Sequence, residues 1–174
     1  LTPFTLIDGL EHIHSITMSG RGESSCVRQE LDDIGGARGL ALHRIGVAKH
    51  DLEAAEMNFD GGYYRSSNNR AYYAIFRAIS ACLALEFKAY KQHAQVIGNF
   101  NKDFVHTGVF PKEIGRKISR AQEVRHASDY DDFYIVSIED AREQLDTAKE
   151  VVALVEQYLK VLAEKEKWSS PDLT

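Results

Sequence analysis

SIEDAREQLDTAKEVVALVEQYLKVL, residues 137–162, carries a pattern with one reading. Ile138, Ala141, Leu145, Ala148, Val152, Val155, Leu159 and Leu162 step by three and four, which at about 3.6 residues per turn lays them along a single stripe. Ser137 and Asp140 stand where an N-cap and its N3 partner belong, so the spacing predicts a helix starting at Ser137. A stripe of this length packs on near-antiparallel neighbours at a shallow angle, as in a helical bundle. Val151, Leu154, Tyr158 and Val161 add apolar surface beyond that stripe, which lends some support to a homodimer.

The preceding segments supply the neighbours. From Ala37 the residues Ala41, Ile45, Ala48, Leu52, Ala55 and Phe59 form a second stripe, ended by Asp60-Gly61-Gly62. Tyr63 to Phe87 reads as a helix with apolar residues around most of its circumference (Tyr72, Ile75, Phe76, Ile79, Cys82, Leu83, Leu85), which marks a central element. A shorter helix is expected over 92–106, with Val96, Ile97, Phe100 and Phe104 inward, and another from Pro111, whose missing N–H costs nothing in a first turn. Ile114, Ile118 and Ala121 face its core, and 130–134 reads as a loop. The fold class is therefore all-α, an up-down bundle of four to five helices.

Residues 18–36 hold four glycines and no sustained apolar period, so 1–36 is read as a leader and linker of undetermined role. The chain opens on Leu1, and Met18 offers a second start, so residues 1–17 need not be native. Residues 37–164 form the helical domain and 165–174 a frayed tail. A content of 44% apolar residues over 174 positions is enough for one cored domain. Cys26 and Cys82 lie far apart in unlike surroundings, which fits neither a disulfide framework nor a zinc site and suggests a reducing, cytoplasmic setting. No apolar run reaches the ~18 residues a membrane span needs.

The net charge of −5 argues against a generally basic nucleic-acid binder, yet the charge is uneven. Between Lys88 and His126 eight Lys/Arg face three acids, a local +5 that suits an anionic partner or a solvated basic surface. Phosphate-loop, GxSxG and His-Glu-x-x-His signatures are absent, and His43 and His50 have no suitably placed carboxylate, so neither metal nor cofactor is expected. Two clusters could carry chemistry. Ser66, Arg70, Tyr73 and Arg77, with Asn69 beside them, form a polar stripe on the central helix, which either pairs with acids of neighbouring helices or contacts phosphate and base. Arg120, Arg125, His126, Asp129 and Tyr130 crowd the end of the fourth helix, where Arg125 and Asp129 are also spaced for an i,i+4 ion pair.

RSSNNRAYYAIFRA (65–78), KQHAQVIGNF (91–100), FVHTGVFPKEIGR (104–116) and RHASDYDDF (125–133) closely resemble the HEPN superfamily, in particular its small stand-alone prokaryotic members, in order and spacing from about residue 37 to 162. The resemblance implies a bundle that is usually dimeric and often works with a minimal nucleotidyltransferase as a toxin–antitoxin pair. Several such proteins are metal-independent ribonucleases, whose signature is an arginine, a polar neighbour and a histidine four to six residues beyond the arginine. On that signature Arg125 falls on the arginine, His126 on the polar neighbour and Tyr130 where the histidine would stand. A phenol near pKa ~10 moves protons poorly at neutral pH. Arg120 and His126 also meet the spacing, but helical steps of about 100° set them about 120° apart.

The expectation is a HEPN-type domain that binds RNA, nucleotide or a nucleotidyltransferase partner through Arg125, Asp129, Tyr130 and the Arg70/Arg77 stripe. The alternatives are a ribonuclease toxin using His126 with Arg120 or Arg125, and a structural adaptor without ligand.

Overall fold

A computed structural model describes residues 24–88, 90, 92–130, 135–166 and 168, excepting the side chains of 24–34, 129 and 130. The reading of 1–23 as a leader, and most of the loop expected at 130–134, lie outside the described residues. Within them are five α-helices: α1 (Ser24–Asp60), α2 (Tyr64–Leu85), α3 (His93–Phe100), α4 (Lys112–Tyr130) and α5 (Ile138–Lys165), with a π-helical turn, Asn101–Val105, continuing α3. No described helix is long and apolar enough to cross a membrane.

The central helix is α2, which packs on α1, α3, α4 and α5 and buries thirteen residues around its circumference. On α1 the stripe Ala41, Ile45, Ala48, Ala55 and Phe59 is buried and Leu52 packs against the core. Gly62 ends the turn after α1 with φ +78°, a conformation that glycine adopts without strain. α5 begins as its spacing predicts, with Ser137 Oγ accepting from the Asp140 N–H at 3.0 Å and donating to Asp140 Oδ2 at 2.8 Å. Pro111 precedes α4, and its carbonyl accepts from the Ile114 N–H at 3.0 Å.

Four readings change. Residues 24–36 are helical rather than linker. Each glycine costs a helix only about 1 kcal/mol, which elongation from the docked stripe can absorb. The helix expected over 92–106 ends in a π turn, closed by His106 N–H to Asn101 C=O at 2.8 Å; the wider turn puts both Phe104 and Val105 inside. Phe104 joins Phe100, Phe110 and Tyr158 in an aromatic core with centroids 5.3 to 6.3 Å apart. The apolar surplus on α5 belongs to the chain's own core, with Val151 and Tyr158 each 1% exposed, while Ile138, assigned to the stripe, is 50% exposed. That surplus gives no ground for a dimer. Trp168 donates its backbone N–H to the Ala163 carbonyl at 2.9 Å, and its ring lies 5.0 Å beneath the Arg38 guanidinium.

Val152 is 3% exposed within α5. We expect Val152→Asp to cost several kcal/mol by placing an unpaired carboxylate in apolar packing, and to abolish the cooperative thermal transition followed by circular dichroism. A variant that melts like the parent would remove α5 from the core.

Candidate functional site

The junction of α2, α3 and α4 gathers aromatic, imidazole and guanidinium groups. Tyr72, Tyr73 and Phe76 lie within one turn of α2, and Tyr72 and Phe76 stack at 6.4 Å and 23°. His93, the first residue of α3, lays its ring on Phe76 at 4.0 Å and 17°, and on Tyr72 at 5.7 Å and 17°. A hydrogen bond of 2.9 Å joins Tyr72 Oη and His93 Nδ1. From α4, Arg125 brings its guanidinium carbon 5.2 Å from the Tyr72 ring centre and 5.4 Å from that of Tyr73, and donates to Tyr73 Oη at 3.4 Å. Such cation–π contacts hold a guanidinium in place while its N–H groups stay in plane as donors.

Electrostatics at this junction favour neutral rings under a positive charge. Burial pushes the Tyr72 phenol up to about 12 against the opposing pull of Arg125, so it remains protonated. His93 is held below the usual histidine range, first by burial and then by the positive charges of Arg125 and His126. At neutral pH it is therefore an uncharged imidazole beside an arginine.

The other sequence-predicted residues divide. Arg70 and Arg77 both grip Asp51 of α1, at 3.1 and 2.7 Å, so the polar stripe of α2 is answered by a buried acid of a neighbouring helix. Ser66 is exposed and Asn69 half-buried on the same helix, and neither enters the contacts described around Arg125. Arg120 stands 3.7 Å from Glu123 and lines an open cleft of about 550 Å³ with His106, Lys112 and Arg116. It therefore faces a different surface from the Tyr72–Arg125 cluster. His126 is exposed on α4, close enough to act on His93. Asp129 and Tyr130 end α4, and their side chains lie outside the described residues. No described cluster of His, Cys, Asp and Glu could hold a metal.

His93, Tyr72 and Phe76 escaped assignment as site residues. The tyrosine pair was the available signal; nothing in the spacing ties His93 to Arg125, because their meeting depends on how α3 and α4 cross α2.

The chain is thus a small helical bundle that mounts an arginine on an aromatic face at a three-helix junction. The HEPN domain model matches residues 42–158, and the chain belongs to that family. It is 29% identical over 115 residues to a UPF0332 protein of Thermotoga maritima, covering 66% of this chain and 87% of that protein. Two proteins of Methanocaldococcus jannaschii, each named "putative toxin", are 37% and 31% identical over 86 and 87 residues, about half of this chain. The matches span 64% and 59% of those two proteins' own length.

We expect Arg125→Gln to raise the His93 pKa toward ~6.5, since it removes a positive charge beside the ring; imidazole NMR shifts against pH would read it. In the parent, the folded state takes up the His93 proton at lower pH than the unfolded chain does. The stability this contributes is present above pH ~6.5 and declines as pH falls through the folded value. A His93 midpoint unchanged by the substitution would separate the two residues electrostatically.

Proposed function

We propose that this chain is a toxin-like HEPN domain that binds RNA or nucleotide at the α2–α3–α4 junction. The observation that carries the reading is the Arg125 guanidinium over the Tyr72 and Tyr73 rings, next to the His93–Phe76 stack. Arginine offers a planar fork to phosphate, and aromatic and imidazole rings offer faces to bases. The toxin-like role rests on the names carried by the Methanocaldococcus relatives. A nucleotidyltransferase and a second copy of the chain are the protein partners that the family resemblance implies, and both are proposals.

Cleavage is a second reading, favoured by one observation. Tyr130 occupies the expected histidine position, but His93 is an imidazole held neutral beside Arg125. A neutral imidazole can accept the 2′-OH proton during metal-independent RNA cleavage, which a phenol does poorly.

Binding of a short single-stranded RNA should weaken as salt rises, because phosphate contacts displace counterions. Arg125→Ala should reduce both the affinity and the slope of log K against log salt, by about one unit for a single lost phosphate contact. Absence of RNA and nucleotide binding at low salt would reject the reading and favour an adaptor. Cleavage in EDTA by the parent, lost in both His93→Ala and Arg125→Ala, would establish the second reading over simple binding.

A further inference from the structure

Phe76 has two neighbourhoods. Its ring stacks on His93, and it also lines a recess of about 180 Å³ shared with Arg44, Arg77, Ser80, Lys88 and Tyr90. The recess has room for a group the size of a phosphoryl with part of a sugar.

Three cations border the recess, and their partners differ. Arg77 spends Nε on Asp51 at 2.7 Å, and Lys88 reaches Asp103 at 2.8 Å with Glu86 at 4.0 Å. Arg44 donates Nη1 to the Ser80 carbonyl at 2.7 Å, and among the described residues no carboxylate lies within ion-pair reach of it. It is only half-exposed or less, and burial lowers its pKa, so its charge is partly stripped of water without a described counter-charge. A desolvated cation is costly unless an anion answers it, and a guanidinium answers phosphate through paired N–H donors. Tyr90 and Phe76 add apolar wall beside the cations, as a sugar requires.

We propose that this recess is a phosphomonoester subsite, which takes the terminal phosphate of a mononucleotide or of an RNA end. Its placement beside Phe76 puts the attached base toward the His93 and Tyr72 rings, and that part of the assignment rests on the function proposed above. A terminal phosphate carries close to two charges at neutral pH and an internal diester carries one. The extra charge selects for an end over the middle of a strand.

The test compares inorganic phosphate, adenosine, AMP and a four-nucleotide RNA with and without a 5′-phosphate, by calorimetry at low salt. AMP should bind about tenfold or more tightly than adenosine, a difference that charge-assisted hydrogen bonds readily supply. Arg44→Gln should erase that ratio and the binding of inorganic phosphate while leaving adenosine unchanged. Lys88→Gln should reduce the ratio in part, and serves if Arg44→Gln melts below the parent. A gain from the phosphate confined to AMP identifies a mononucleotide as ligand; a gain confined to RNA identifies a strand end. Equal affinity of AMP and adenosine together with equal affinity of the RNA with and without its 5′-phosphate, or a phosphate gain that survives both substitutions, overturns the subsite. Phosphate binding lost in Arg44→Gln but kept in Arg125→Ala, with no adenosine or RNA binding, supports the recess and rejects the aromatic face as a base site. Binding of unphosphorylated RNA without any phosphate preference does the reverse.

Discussion

Helix α2 packs against α1, α3, α4 and α5, and that central position governs the rest of the molecule. A central helix satisfies its own backbone but leaves the polar side chains on its buried faces to be answered by neighbours. α1 answers with Asp51 between Arg70 and Arg77, and with the Ala55 carbonyl, which accepts from Ser67 Oγ at 2.8 Å. α3 answers Tyr72 with His93, and α4 answers Arg65 with the Ser128 carbonyl. Asn68, fully buried, has no hydrogen-bond partner for either amide atom among the described residues, a cost of about 1–3 kcal/mol that the packing around it must offset.

The candidate site grows from the same requirement. Tyr72 needs a partner for its hydroxyl and an apolar cover for its ring; His93 supplies the first and the Phe76 stack extends the second. Once that stack exists, Arg125 can rest over it as a cation over π faces, which is an economical way to keep an arginine at a partly dry junction. The basic middle of the sequence is largely dispersed by contrast. Lys88 pairs with Asp103, Lys117 with Glu150, Arg116 with Glu113 and Arg120 with Glu123, so four of its eight Lys/Arg belong to ion pairs of small energetic weight.

Much of this could be read along the chain. The stripes on α1, α4 and α5, the Ser137 cap, the glycine stop at Gly62 and the inward aromatic residues of α3 all rest on interactions between residues a few positions apart, which leave a periodic trace. The Arg-rich end of α4 was visible as a cluster, and the family followed from motifs in order. The glycines at 35 and 36 were misleading because a helix tolerates them once a docked stripe drives its elongation.

What the sequence by itself determined is the all-α class, the position of most helices and the residues that face inward. Tertiary structure alone decided that Asp51 would take both arginines of α2, that Val151 and Tyr158 would be core rather than surface, and that His93 would lie beside Arg125. The reason is physical: caps and apolar periods are written by neighbours in the chain, whereas a meeting between side chains of different helices depends on crossing angle and axial register. Those are set by the packing of whole faces and leave no mark at the residues that come to touch.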